Sequence, residues 1–520
     1  MGDKNNEPNV VLPLAASYNT RGIDAYANLS STLRDQRKIN CFYEIADNSL
    51  TGKKTLTVSK RPRFIGTADS IGSSSGTPFL IITKPGGANA SDPFSPWIFK
   101  QASPDIIVGA ADSATDATIV TQSGAQPCYV DKTVISGTEY AVLQTRLVSG
   151  LSAFPKIRAW YASTYNSWTE ITDADFTGID HRGKIEHLDG FALQLGADNY
   201  VYNSDLNSLS SWTAGNKIKK QIAQDAPLGL AKLGGLIISF GVETMEVFYN
   251  AGNETGSPLR RRPELSQRVG LAAIAPSTYD TAGNKRHYYA TLGNRIYFLG
   301  RFSGGDREIS VCAFDGQKVE KISSPYIDKI LTSGAIDQPG RAKYIGTMNV
   351  LGQDAIYIFN DTVSGVANSW LMYFPALNEW FEWASPYMEP VNNGKYFIGI
   401  PGTVDELNVM RSDADGWGTD QTFDGSTSAY TMTLQFKIPK KGNNRDFMRW
   451  LALEGDTTSG NVTVSVADND TSTFTSLGTI DLATADKKLS RCGSYKSRHI
   501  RLEHSAASAC SLRSFLARVD

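Results

Sequence analysis

Residues 227–270 read PLGLAKLGGLIISFGVETMEVFYNAGNETGSPLRRRPELSQRVG. An apolar strand, Leu236 to Phe240, breaks at Gly241, and a second strand, Met245 to Tyr249, follows it. A polar turn from Asn250 to Ser257, a three-arginine run and a glycine re-entry complete the stretch. Two strands joined tightly, with re-entry at an interval, are the sequence form of one blade of a radial β-sheet array.

The same phrase recurs on either side: an aromatic or apolar pair, turn residues, then a closing strand. It occurs as WYASTYNSWTEI from 160, VYNSDLNSLSSW from 201, VFYNAGNETGSPL from 247, VCAFDGQKVEKI from 311 and MYFPALNEWFEW from 372. Four copies are preceded by a strand closed with Gly or Asn: FALQLG (191–196), LIISFG (236–241), RIYFLG (295–300) and AIYIFN (355–360). The first spacings match the ~40–50 residues of propeller blades, and the later ones imply loop insertions. A four-stranded blade has two apolar faces, and radial stacking covers both while leaving only short edges exposed. Trp160, Trp168, Trp212, Phe314, Trp370, Trp380 and Trp383 are therefore expected mainly as packing between blades.

Composition agrees. The chain has 520 residues and a formal net charge of −2, with 46 Gly, 22 Tyr and 22 Phe. That is enough chain for more than one domain, rich in turns and aromatic strands. Near-neutral charge argues against a nucleic-acid clamp, which must neutralise many phosphates. The five cysteines (Cys41, Cys128, Cys312, Cys492, Cys510) include no C-x-x-C pair and read as buried free thiols. The N-terminus lacks a basic n-region, so no signal peptide is expected, and no apolar run reaches the ~20 residues of a membrane span.

Together these readings give an all-β chain, a β-propeller with a C-terminal antiparallel β-sandwich-like domain. The expected divisions are an N-terminal arm at 1–37, the propeller at 38–413, a linker at 414–429 and the C-terminal β domain at 430–520. One short helix is expected at 31–36. In the last domain, the alternation of Val462, Val464 and Val466 suits a strand with one solvated face.

Catalytic patterns are weak. Gly72-Ser73-Ser74-Ser75-Gly76 satisfies G-x-S-x-G but lacks the strand and helix that flank a nucleophile elbow. Asp173, Asp175, Asp180, Glu186 and Asp189 gather around His181 and His187, a conceivable glycosidase pair. Carboxylates are equally frequent at hairpin turns, so a solvated rim is the plainer reading. Residues 412–417 (SDADGW) resemble a sialidase aspartate box out of register, and 466–472 (VADNDTS) reads as a turn. No cofactor or metal is implied. The candidate binding residues are basic: Arg260, Arg261, Arg262 and Arg268, with Lys217, Lys219 and Lys220; Lys440 and Lys441 form a further pair. They could face phosphates from one rim, although the sequence gives them no interleaved aromatics of the single-strand-binding kind.

The central stretch resembles the packaged-DNA stabilisation proteins that form the tail nozzle, or hub, of short-tailed bacteriophages. The resemblance lies in Ile237 to Gly241, Glu243 to Phe248 with its T-x-E-x-F pattern, the turn Asn250-Ala251-Gly252, Arg262-Pro263 and Val269-Gly270. Weaker echoes are Arg37 to Glu44 followed by Lys60-Arg61-Pro62, then 293–298, 322–330 and 497–519; Arg63 stands where the family usually has glycine. The resemblance implies a structural virion protein of the tail, assembled in the host cytoplasm, not an enzyme. It would form a homohexameric ring below the portal and adaptor and extend the DNA exit channel. Its partners would be the adaptor, the tail needle or plug, tailspike or fibre proteins, and packaged double-stranded DNA passing non-specifically. The arginine run would sit at the lumen or at the adaptor-facing rim. The rival readings are a carbohydrate-binding adhesin and a sialidase- or glycosidase-like propeller enzyme.

Overall fold

A computed structural model gives the fold of residues 7–14, 36–39, 41–48, 53–59, 63–67, 77–83, 96–102, 105–110, 117–121, 125–147, 157–164, 166–223, 225–272, 288–302, 308–333, 343–350, 353–360, 369–384, 387–393, 396–401, 408–411, 431–438, 444–469, 471, 473–506 and 510–520. The expected linker at 414–429, the GSSSG stretch, residues 412–417 and the Lys440-Lys441 pair lie outside these residues, as does nearly all of the helix expected at 31–36.

Antiparallel sheets, each with four strand positions, succeed one another between residues 63 and 411. Blade 1 comprises Thr77–Thr83, Pro96–Ala102, Asp105–Ala110 and Ala117–Thr121. Blade 2 comprises Ala125–Ile135, Thr138–Leu147, Ile157–Ala162 and Thr169–Glu170. Blade 3 comprises His181–Leu188, Phe191–Gly196, Tyr200–Ser204 and Trp212–Lys219. Blade 4 comprises Pro227–Leu233, Leu236–Gly241, Met245–Asn250 and Leu259–Arg261. In blade 5 the inner position is shared by Val269–Leu271 and Tyr289–Leu292, followed by Arg295–Phe302, Ser310–Phe314 and Val319–Lys321. Blade 6 comprises Lys343–Val350, Gln353–Asn360, Ser369–Phe374 and Glu379–Ala384. Blade 7 comprises Tyr387–Asn393, Tyr396–Pro401 and Asn408–Arg411.

Each inner strand packs on the inner strand of the next blade, and that of blade 7 packs on that of blade 1, so the wheel closes. Closure is also made by hydrogen bonds. Blade 7 takes its outer strand, Arg63–Thr67, from the N-terminal side of blade 1. All five recurrent phrases are the third and fourth strands of a blade, blades 2 to 6 in order. Left-handed pairs Ser136-Gly137 (φ 52°, 77°) and Asp189-Gly190 (φ 49°, 85°) make the first hairpins of blades 2 and 3, the geometry that matches strand twist.

Apolar layers fill the gaps between blades. Trp160 and Trp168 pack with Trp97 and Phe99 between blades 1 and 2, and Trp212 lies between blades 2 and 3. Phe314 lies between blades 4 and 5, and Trp380 between blades 5 and 6. Trp370 and Trp383 depart from the expectation. They join the core of the second domain, and Trp383 Nε1 donates to Cys41 O at 2.8 Å.

That domain is a sandwich. One sheet holds Met432–Lys437, Arg498–His504, Asn461–Asp468 and Thr475–Asp481; the other is centred on Asp446–Gly455 and Leu512–Val519. Phe436 and Phe515 meet across it edge-to-face, with ring centroids 5.1 Å apart. The expected division at residue 38 is corrected by the pairing. Val10–Pro13 lies along 514–517, Gln36–Ile39 along 433–436, and the hairpin Phe42–Asn48/Lys53–Ser59 reaches Leu512 through Val58. The edges of the C-terminal sheets are completed by N-terminal strands, so 38–39, 41–48 and 53–59 belong to the sandwich and not to the wheel. Ile39 also pairs in parallel with Glu382 of blade 6, which makes blade and sandwich sheet continuous.

Candidate functional site

The residues that carry the family resemblance converge on the crossover from blade 3 to blade 4. Glu246, fully buried, accepts Gln221 N–H at 2.7 Å and Ile222 N–H at 2.5 Å through Oε1. Alternation along Met245–Asn250 places Glu246 on the face toward blade 3, so its carboxylate can hold the chain arriving from that blade. Asp225 accepts the Glu243 and Thr244 N–H groups at 2.8 and 2.9 Å and forms a 2.6 Å ion pair with buried Lys220. Gly241 is required by the same knot, because a Cβ there would lie 2.2 Å from Asp225 Oδ2 and 2.4 Å from Lys220 Nζ. The glycine re-entry has a like cause: a Cβ on Gly270 would lie 2.2 Å from the Val242 carbonyl. In the N-x-G turn, Asn250 Nδ2 reaches back to Asp189 of blade 3 at 2.9 Å, and Gly252 takes φ +69°.

The basic residues divide into groups. Every blade runs from inner to outer strand with four antiparallel passes, so each outer strand ends at the end of the wheel where its inner strand begins. Trp212–Lys219 and Leu259–Arg261 therefore deliver Lys217, Lys219, Arg260, Arg261 and Arg262 to one end of the wheel, at the outer rim, with Arg268 just before the first strand of blade 5. Lys220 does not join them, being consumed by Asp225 in the interior. Arg261 points into the junction between blades 3 and 4, where Nη1 donates to Gln221 Oε1 at 2.6 Å. Lys219, Arg260, Arg262 and Arg268 are exposed, and Lys217 is half-buried.

Aromatics do interleave with these cations, through pairing across strands that linear spacing hides. Tyr200 is opposite Lys219 and Tyr202 opposite Lys217. Lys217 Nζ lies 4.9 and 5.1 Å from the two ring centroids, and Lys219 Nζ 5.6 Å from that of Tyr200. In blade 4, Tyr249 is opposite Arg260, and the Arg262 guanidinium lies 4.7 Å from its ring centroid. Cations over aromatic faces are attracted by the ring quadrupole.

Among the carboxylates around His181 and His187, Asp173 and Asp175 serve the backbone and the others meet side chains. Asp173 caps helix Ala174–Thr177 and accepts Trp212 N–H at 3.0 Å; Asp175 accepts Ala214 N–H at 3.0 Å; Asp180 pairs with Arg182 at 2.8 Å. His181 is buried against Phe176, and burial lowers its pKa to about 4. Burial pushes the Cys41 and Cys312 thiols up to about 12, so neither is a ready thiolate. Cys492 and Cys510 are likewise buried thiols that form no disulfide.

Nearer the axis lies a polar cluster that sequence reading did not assemble. The inner strand of blade 3 bulges between Arg182 and Glu186, and Gly183 (φ +70°) approaches Gly229 of blade 4 too closely for a Cβ, which would lie 2.6 Å from Gly229 Cα. Gln144 Oε1 accepts Ile185 N–H at 2.9 Å and Gln194 donates to Arg182 O at 3.0 Å, satisfying the bulged backbone. Lys184 bonds Asp131 of blade 2, lies 3.0 Å from Glu186, and approaches the Tyr289 ring of blade 5 at 5.7 Å. Burial disfavours its ammonium, but Asp131 and Glu186 outweigh burial and hold its pKa well above the ordinary lysine value. Burial raises Glu186, with Lys184 opposing, and burial with nearby Lys232 lowers His187 to about 4. The available signal was Lys184 and Glu186 themselves, charges set two apart in an inner strand.

No protein-family model matches the chain, and no curated protein matches it. Among solved structures it is similar to BamB from Moraxella catarrhalis, with 12% identity over 65% of this chain and 85% of that one, TM-score 0.34. It is similar to the computationally designed Ika8 protein, with 10% identity over 66% and 100%, TM-score 0.34. It is also similar to an exo-beta-1,3-galactanase from Phanerochaete chrysosporium, with 12% identity over 88% and 99%, TM-score 0.28. Likenesses this distant carry no statement about function.

Proposed function

We propose that the chain is a tail nozzle, or hub, subunit of a short-tailed bacteriophage. In this reading it is a structural protein without catalytic duty, located in the virion tail. Copies join head-to-tail into a closed ring, six as in the family it resembles, that extends the DNA exit channel, retains packaged DNA and passes it at ejection. A ring of this kind needs two different faces on each subunit, and a wheel with a sandwich fused to blade 6 offers them. Its partners would be the adaptor above, the needle and tailspikes or fibres below, and the DNA within. A net charge of −2 suits a duct that must let phosphates slide.

The observation that carries this reading is the convergence of the resembling residues. Gly241, Thr244, Glu246 and Gly270 form one interlocked knot, so the resemblance covers a cooperative structural unit and not scattered positions. Negative-stain microscopy of the purified chain, alone and with an adaptor ring, tests it. Closed rings of uniform size are expected. A chain that stays monomeric in both conditions, or that turns over synthetic glycosides, would overturn the reading.

A further inference from the structure

Four cations of the rim, three of them exposed and Lys217 half-buried, form two pairs. Lys217 and Lys219 stand two residues apart on the outer strand of blade 3, opposite Tyr202 and Tyr200. Arg260 lies opposite Tyr249 on the outer strand of blade 4, and Arg262, just past the end of that strand, sets its guanidinium over the same ring. Residues i and i+2 share a face and are about 6.6 Å apart along a strand. Phosphates of one duplex strand rise about 3.4 Å each along the axis but wind around it, which sets neighbours about 7 Å apart, so the spacing of Lys217 and Lys219 is in step with adjacent phosphates. The pairs lie on opposite sides of the blade 3–4 junction, because Tyr202 packs toward blade 2 while the Tyr249 face packs toward blade 5. Both outer strands nevertheless end at the same end of the wheel, so one polymer crossing the rim meets both pairs.

We infer that these two pairs form a surface that tracks the phosphodiester backbone of duplex DNA, with Tyr200, Tyr202 and Tyr249 as positioning residues. The rings hold the heads of Lys217, Lys219 and Arg262 at defined places and reduce the disorder that these three long side chains would otherwise lose on binding. Their cation-covered faces are not offered to bases, which sets this surface apart from a single-strand stacking platform. The contact is with backbone alone and therefore carries no sequence preference. Its place in a particle rests on the nozzle reading, whereas the binding itself belongs to the isolated chain.

The test is anisotropy of a fluorescent duplex titrated with full-length protein across a salt series. Four phosphate contacts give a slope of log K against log salt of about −3.6, and K217Q/K219Q or R260Q/R262Q should each reduce its magnitude by about 1.8. Tyr249→Phe should bind as the parent does. Tyr249→Leu should bind more weakly with its charge count and unfolding midpoint unchanged, which a merely structural tyrosine would not do. Absence of duplex binding at low salt, or slopes indifferent to both pairs, would overturn the inference. So would polyglutamate binding as tightly as DNA and being lost with the same substitutions, which would assign the surface to an acidic protein. Rings that do not bind DNA sink this inference and spare the nozzle reading; DNA binding with these slopes by a chain that never forms rings does the reverse.

Discussion

Glu246 concentrates the residue-scale argument. Its carboxylate lies in the interior, where an unpaired charge is costly, and it is stabilised by two backbone N–H groups from the preceding blade. Glu246→Ala should cost about 1–2 kcal/mol, since it removes the acceptor of both N–H groups but Gln221 and Ile222 are exposed enough for water to replace part of it. Glu246→Gln keeps one oxygen and should cost about half as much. Urea unfolding checks the magnitude, and hydrogen exchange at Gln221 and Ile222 checks the place: protection there should fall before that of Ile237 and Phe248. Equal losses at all four positions would mean that Glu246 does not act through the crossover. At this scale the sequence was partly legible. It marked Thr244, Glu246 and Gly270 as a pattern but grouped Lys220 with Lys217 and Lys219, because a linear run cannot say which lysine meets a carboxylate such as Asp225 after the chain turns.

Elements were more legible than residues. The strand-turn-strand phrases mark the outer halves of blades 2 to 6 because a blade must alternate apolar and polar positions and turn tightly. Blades 1 and 7 lacked the phrase. In blade 7 the reason is topological: its fourth strand, Arg63–Thr67, lies far away in sequence from Asn408–Arg411. Ring closure therefore rests on a short antiparallel ladder. Neighbouring residues of such a strand direct their N–H groups alternately toward and away from the partner, so prolines at both Phe64 and Ile65 must remove one ladder donor. The double variant should lose about 1–3 kcal/mol and become sensitive to limited proteolysis between blades 7 and 1. Unchanged protease resistance would show that the wheel does not depend on this closure.

For the whole molecule, the decisive feature is the union of wheel and sandwich. Trp370, Trp383, Phe381 and Tyr357 of blade 6 share one core with Phe42, Leu434, Phe515 and Val519 of the sandwich. Two units joined by a linker would unfold separately, whereas a shared core couples them. Trp383→Ala should cost about 3–5 kcal/mol and lower the protection of sandwich strand Arg498–His504 together with that of Gln353–Asn360 in blade 6. Loss confined to blade 6 would refute the coupling. In the ring proposed above, such a shared core would carry forces from wheel to sandwich.

The sequence by itself determined the all-β character, the blade as repeating unit, the succession of blades 2 to 6 and the alternating strand around Val462 to Val466 in the last domain. Each of these follows from local rules, the period-two alternation of strands and the chemistry of turns, which act within a few residues. Only the tertiary structure decided the closure of the wheel by Arg63–Thr67, the passage of strands Val10–Pro13, Gln36–Ile39, Phe42–Asn48 and Lys53–Ser59 into the sandwich, the burial of Lys220, and the setting of Tyr200, Tyr202 and Tyr249 against the rim cations. Those are pairings between distant strands, and a chain read in one dimension holds no record of which edge will find which.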